Sequence, residues 1–508
     1  MRRYQQRQIA DLLRTIGEAQ NSGLFADCQE GALGLCDFID RVAGKGTKTV
    51  RLLEGYCELL FKVHGGEASK NALRKYFAKI ENSVKNDLKV TRIEVAFITY
   101  KYSMADSLES IYHSAKSDPE CDAYWVPVPY YDLDSGGNPT KMNYEGSQYS
   151  SDFVVIDWQK YDIEKRKPDI VFFHNPYDAW NIVTRVHPNF HAEKMRSFAD
   201  LMVYVPYYVL LLDDWAQAAV VPGMLYSDII IAESQKKAKT YVRHMNEWIK
   251  ENKAIKATPV WKYVMEPEVR FAPLESPKFD KVINSACHNF ILPENWKALI
   301  GEPKRKKIVV YSNRYTDLSS PLDKRILKFK YVIDFFKKRD DVILWYRPHP
   351  LNEECLRVMA PYYYNEYQQI ISDYKKEAWG IYDDTGDLHR AIAMSDAYFG
   401  EWSSVIALYA AAGKLIMWGC PSILENDTSE NYQSPFDSSP EITSLADYIF
   451  REKSSHDLNA FLDYLTQSAT ADEMRRRRDK VISVMDVRAD GSAGQAVYTY
   501  AKTKLIGG

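Results

Sequence analysis

Two residues in the stretch Val342-Ile-Leu-Trp-Tyr-Arg-Pro-His-Pro350 carry groups that can do chemistry: Arg347 and His349, each directly ahead of a proline. The apolar run before them predicts a buried strand. Proline fixes its own φ and pushes the preceding residue into extended geometry, so both side chains are held in a stiff, non-helical segment at the strand's carboxyl end. A guanidinium presents a planar fork of donors suited to phosphate, and an imidazole donates a bond or carries a proton. Ligands of open α/β sheets bind at such strand ends. The ligand-free reading is a strand exit whose Arg and His are solvated or satisfied locally.

A second stretch, SDAYFGEWSSVIALYAAAGK at 395–414, predicts a strand to Phe399, a turn at Gly400, and a helix capped by Ser403 or Ser404 that stops at Gly413. Helix starts offer unpaired N–H groups and partial positive charge, and two hydroxyls add donors without bulk. An ordinary N-cap needs only one serine. Glu401 could accept hydroxyl hydrogens of a ribose or an alditol. Asn313 and Arg314, ending KKIVVYSNRY, fall on the same rim if the sheet is parallel. Together these residues predict one anion pocket for a diphosphate-containing donor. A Walker loop and a GxGxxG after a strand are both absent, which disfavours an ordinary ATPase or dinucleotide enzyme.

In the first half, DIVFFHNPYD sets His174 at a strand end, where a base of near-neutral pKa could take a proton from an attacking hydroxyl. His187 and His191, in RVHPNFH, are the rivals; a hydrogen-bonded structural role is the alternative for each. Asn175 and Asp178 could orient His174 or hold acceptor hydroxyls, and Lys101, Ser103 and Asp106 in the first strand-to-helix turn are further acceptor-side candidates. No Asp-x-Asp metal site is evident, so neither metal nor cofactor is expected. Asp383-Asp384 is an alternative ligand pair that would otherwise begin the following helix.

These positions need strands to hold them. Residues 1–88 show helical periodicity and predict an α-helical appendage. From Arg92, IEVAFITY, CDAYWVPVPY, KPDIVFFHNPYD, LMVYVPYYVLLL and SDIIIAES read as strands, with Ser103 as cap of the first helix. A second alternation runs through KKIVVYSNRY, a helix at about 322–338, DVILWYRPHP, WGIYDD, DAYFGEW and KLIMWG. Strands alternating with helices imply βαβ units and mostly parallel sheets, hence two similar, Rossmann-like α/β domains. The expected divisions are 1–88, an acceptor domain 89–275, a donor-nucleotide domain 276–470 and a C-terminal helix 471–508, with the junction near 274–283.

At 508 residues the chain exceeds what one core supports. A net charge of −3 argues against nucleic acid as partner. Seven scattered cysteines (28, 36, 57, 121, 287, 355, 420) without paired spacing suggest a reducing, cytoplasmic setting. No signal peptide is expected. The apolar run Leu201–Leu212 is shorter than the roughly 20 residues a membrane helix needs. Arg2, Arg3, Arg7 and Arg14 accompany an amphipathic pattern through Ile9, Leu12, Leu13 and Ile16, which suits either a solvated face or a protein lying on the inner membrane face. The same two readings apply to Arg475–Arg478, after a capping box at Thr470 and Glu473.

The strand with RPHP, the SDAYFGEWSSV block, the following YAAAGKLIMW, and SPKFDKV, similar to a Gly-x-Pro-Arg-Asn-Asp turn between domains, resemble the CDP-glycerol glycerophosphotransferase family of teichoic-acid primases and polymerases. The resemblance covers about 270–425 well and 92–270 loosely. It implies a GT-B-like fold, a CDP-alditol donor, and transfer of the phosphoalditol to a hydroxyl of a glycan or lipid-linked acceptor with release of CMP. By that resemblance Arg347, His349, Ser403 and Ser404 bind the donor's phosphates. The first half departs: VYVPYYV stands where the family carries a His-Gly-Thr base motif, which makes His174 the substitute base. The rival enzyme reading is a GT-B glycosyltransferase or sugar-nucleotide epimerase using a UDP-sugar. A non-catalytic scaffold is the rival outside enzymes.

Overall fold

A computed structural model describes residues 1–134, 136–210, 220–285, 290–301, 306–315, 321–401, 403–420, 444–445, 448–454, 456–468, 470–486 and 489–507. The chain starts with four helices, α1 (Arg3–Asn21), α2 (Phe25–Ala43), α3 (Lys48–His64) and α4 (Lys70–Asn86). Thr47 and Ser69 cap the last two through the Val50 and Ala72 N–H groups. Ile9, Leu13, Leu53, Tyr56, Leu73 and Ile80 make their common core. Of the amino-terminal arginines, Arg7 and Arg14 are exposed. Arg2 pairs with Glu94 at 2.7 Å and Arg7 with Asp200 at 2.6 Å, so two of them tie the helices to the domain that follows.

That domain is a six-stranded parallel sheet in the order β2-β1-β5-β7-β8-β9: β1 (Ile93–Thr99), β2 (Cys121–Pro127), β5 (Ile170–Phe173), β7 (Leu201–Tyr204), β8 (Ile229–Ala232) and β9 (Phe271–Pro273). Helix α5 (Asp106–Ser117) crosses from β1 to β2. β7 ends ahead of Pro206, which has no N–H for the ladder; Leu211–Leu212 of the apolar run lie outside the described residues. A small antiparallel sheet, β4-β3-β6, is added by β3 (Tyr130–Leu133), β4 (Pro139–Asn143) and β6 (Thr184–Val186).

The second half repeats the architecture in the order β12-β11-β10-β13-β14-β15: β10 (Lys307–Ser312), β11 (Val342–Tyr346), β12 (Ile381–Tyr382), β13 (Ala397–Gly400), β14 (Leu415–Trp418) and β15 (Phe450–Arg451). Alternate residues enter opposite cores: Ile308, Val310, Ile343 and Trp345 on one face, Val309, Tyr311, Leu344 and Tyr346 on the other. Both faces are covered, as parallel sheets require. The fold is therefore two parallel α/β sheets behind an α-helical region.

Two segments join the halves. In the first, Glu275 takes a left-handed φ of 72°, a conformation that favours glycine. The helix Lys278–Asn284 follows and packs against α5 on one side and the helices Leu388–Met394 and Ser404–Ala411 on the other. The C-terminal tail forms two helices, Ala471–Met485 and Ala493–Gly507, and the last returns to α5. Asp280 caps it through the Ala493 and Gly494 N–H groups at 3.0 and 2.7 Å. Arg478 binds the Ala411 carbonyl at 2.8 Å, closing the end of the Ser404–Ala411 helix.

Candidate functional site at the facing sheet ends

Each sheet has a point where its strand order reverses, and there the two flanking loops diverge and leave a crevice. In the first sheet it lies between β1 and β5, so the loops after Thr99 and Phe173 border it; in the second it lies between β10 and β13, bordered by the loops after Ser312 and Gly400. Lys101, His174, Arg314, Glu401 and Ser403 all stand on these four loops. Gly400 is required there. A Cβ on it would come within 2.5 Å of the Ser312 carbonyl oxygen and of the Tyr398 hydroxyl.

The second half's candidates divide. His349 is partly buried, and its Nδ1 accepts the Leu351 N–H at 3.2 Å, so the neutral ring carries its proton on Nε2. Burial, reinforced by Arg314 and Lys101, lowers its pKa to about 4. At neutral pH His349 is thus a neutral N–H donor. Ser403 begins the Ser404–Ala411 helix with extended backbone but makes no side-chain cap, and its buried Oγ stands beside the Tyr398 hydroxyl. Ser404 is the first residue of that helix.

Three other candidates are engaged elsewhere. Arg347 pairs with Asp383 and donates to the Thr385 carbonyl at 2.8 Å and the Asp387 carbonyl at 3.2 Å. Through these bonds it holds the 383–387 loop. Asn313 points inward: its Oδ1 accepts from the Tyr346 hydroxyl at 2.9 Å and from Asn352 at 3.0 Å. Glu401 accepts the Arg314 N–H at 3.2 Å and pairs with Arg325 at 2.5 Å, so both its oxygens are taken before any ligand hydroxyl arrives. Asp383 does not begin a helix either; Asp387 caps the next one by accepting the Arg390 N–H, and Asp383 serves Arg347 and Arg390.

In the first half, His174 is fully buried. Its Nε2 accepts the Tyr100 N–H at 3.3 Å, so Nδ1 carries the proton and meets the Met104 carbonyl and Ser107 Oγ, both at 3.1 Å. Burial lowers its pKa to about 4. Both nitrogens are spoken for, which corrects the expectation of a general base: His174 stitches the β1 and β5 loops together at the crevice. His187 accepts the Asn189 N–H at 3.3 Å and His191 sits 3.2 Å from the Val186 carbonyl, each within its own turn.

Asn175 and Asp178 form a local pair. Asp178, at a left-handed φ of 46°, accepts from Asn175 at 2.9 Å and from the Ala192 N–H at 2.7 Å, and burial raises its pKa to about 7. A carboxyl whose folded pKa is raised loses its stabilising contribution as pH climbs from its unfolded value near 4 to the folded value. Asp178→Asn, with the Asn175 amide turned to accept, is therefore expected to gain on the order of 2 kcal/mol at pH 8 and little at pH 4. Urea unfolding at the two pH values checks this.

Ser103 does not cap α5; it lies exposed in the turn before it, while Ser107 Oγ bonds back to Met104 at 2.8 Å. Asp106 faces the other half. Its carboxylate takes Lys278 Nζ at 2.5 Å and His389 Nε2 at 2.7 Å, all three side chains being buried. Burial alone would raise the Asp106 pKa, but Lys278 and His389 overcome it and hold the carboxyl well below its usual range. The two halves also touch where Gly386 meets Tyr102 and Ser103; a Cβ there would lie 3.3 Å from the Tyr102 ring. Sequence reasoning missed Lys278 and His389. Only Lys278 had a signal, as the cation of the SPKFDKV turn.

No protein-family profile and no curated protein matches the chain. Among solved structures, its overall arrangement is similar to that of Staphylococcus aureus MnaA in a structure with UDP, at 11% identity and a TM-score of 0.45, over 82% of this chain and 97% of that one. It is similar to a UDP-N-acetylglucosamine 2-epimerase at 11% identity and a TM-score of 0.44, over 82% and 97%. It is also similar to the wall teichoic acid polymerase TagF at 11% identity and a TM-score of 0.44, over 90% and 98%. Likeness at this level assigns no substrate and no residue role to this chain.

Proposed function

We propose that the protein is a transferase that binds a nucleotide-activated donor between its two sheets, with a CDP-alditol as donor, a hydroxyl of a cell-surface glycan or lipid-linked molecule as acceptor, and CMP as product. The observation that supports it is the set of donors at the strand ends of the second sheet: Arg314, the Nε2–H of His349, the Ser403 hydroxyl and the start of the Ser404–Ala411 helix. Such a set matches a diphosphate and little else.

In this reading Ser403, Ser404 and the helix N–H groups hold the phosphates, and His349 donates to the oxygen on which charge grows. Arg347 acts one step back, by fixing the 383–387 loop. An acceptor oxygen attacks the β-phosphorus in line; one O–P bond forms, the P–O bond to CMP breaks, CMP leaves with the electron pair, and the hydroxyl proton is released. Fixed donors in a partly dry site favour that charge more than water does. No cofactor is invoked. Purified protein supplied with radiolabelled CDP-glycerol and with UDP-sugars tests the proposal: CMP release supports it, whereas UDP release, or no turnover of any nucleotide, refutes it.

A further inference from the structure

The two loops that border the second sheet's crevice part where the β10–β13 ladder ends at Ser312 and Gly400. Just beyond it the Glu401 N–H still reaches the Ser312 carbonyl, at 3.4 Å. From there a side chain that belongs to neither loop ties them together. Arg325, on the helix Leu322–Lys337, donates through Nη2 both to the Arg314 carbonyl and to Glu401 Oε2, the latter at 2.5 Å. Glu401 Oε1 accepts the Arg314 N–H at 3.2 Å. The three residues close a ring that holds Arg314 by its backbone N–H and carbonyl. Asn352 fixes the residues on either side of it, donating to the Asn313 carbonyl at 3.0 Å and accepting the Tyr315 N–H at 2.9 Å.

A ring of this kind is more than the fold asks for. Arg325 is buried and Glu401 mostly so, and burial raises the Glu401 pKa against the pull of Arg325. An apolar pair of similar volume often stabilises a core as well as a buried ion pair does. Only polar groups, however, can grip the N–H and carbonyl of one loop and a carboxylate of the other. The gripped backbone is that of Arg314, and the gripped carboxylate stands two residues before Ser403, where the Ser404–Ala411 helix begins. Arg325 therefore sets the distance between two parts of the proposed phosphate site without belonging to it.

Resting on the function proposed above, we infer that Arg325 is a positioning residue for the donor: by tying the Arg314 backbone to Glu401 it fixes the spacing between the Arg314 loop and the Ser403 helix start, and with it the fit to the two phosphates. Glu401, expected from sequence to hold donor hydroxyls, is the other half of this tie. The nucleoside end of the donor does not depend on it.

Two variants test this without leaving a buried charge unpaired. Arg325→Met combined with Glu401→Gln removes both charges and keeps both stems; Glu401→Asp keeps both charges but draws the carboxylate back by a methylene, so that it no longer spans Arg325 and the Arg314 N–H. Calorimetric titration with CDP and with cytidine gives the affinities, and unliganded melting reports folding. Both variants are expected to melt near the wild-type temperature and to bind CDP about tenfold more weakly or worse, because small misplacements of positioned groups are costly, with cytidine binding unchanged. Wild-type CDP affinity in either folded variant would overturn the inference and leave the proposed function standing. Equal losses for CDP and cytidine would place Glu401 against the ribose and overturn it as well. Wild type that binds no nucleotide would overturn both the inference and the function.

Discussion

Lys278→Met is expected to lower the stability of the protein more than any other single change considered, by about 3–5 kcal/mol, because it leaves the Asp106 charge buried with only His389 beside it. Methionine keeps the stem, so the loss reports the charge and not a cavity. Removing the carboxylate as well, in Lys278→Met with Asp106→Asn, is expected to restore a large part, since a neutral pair needs no countercharge. Asp106 has a depressed folded pKa, so its contribution is complete above the ordinary carboxylate value and is lost as pH falls below it towards the folded value. The wild-type advantage over Lys278→Met should accordingly shrink in acid. Urea unfolding at pH 7 and pH 3 reads both effects; a Lys278→Met protein as stable as wild type at pH 7 would show that the triad does not form.

His349→Ala has the largest expected effect on turnover. Removing one preorganised donor aimed at developing charge costs about 10²–10³-fold in rate. The ring is only partly buried and, among the described residues, receives just the Leu351 N–H, so folding should survive. Melting of the unliganded variant near the wild-type temperature, with acceptor-dependent CMP release down by that factor, is the expected pair of results. Turnover within threefold of wild type would remove His349 from the chemistry. Arg347→Ala is a different experiment, because it leaves Asp383 with Arg390 as its ion-pair partner and loosens the loop that abuts Ser103.

The strand ends were readable because parallel strands buried on both faces spell near-continuous apolar runs, and RPHP and GEWSS mark where two of them stop. The direction each side chain takes was not. Arg347 turns to Asp383, 36 residues on, and Asn313 turns under β11, since partners brought by other strands satisfy them better than the cleft does. His174 looked like a base because a histidine at a strand end is all that sequence records; the Tyr100 N–H and the Met104 carbonyl that occupy it come from the neighbouring loop. Asp106 meets Lys278 and His389 across 172 and 283 residues, a meeting no local pattern encodes. The antiparallel sheet was missed because β4 is almost wholly exposed and carries no alternation of buried and polar residues.

The most direct measurement of the central claim is a calorimetric titration of the wild-type protein with CDP, CMP and UDP in parallel. Saturable binding that is tighter for CDP than for CMP and UDP, and that weakens in His349→Ala, is the predicted result. A protein that gives no heat with any of the three, or that binds CDP equally well without His349, would contradict it.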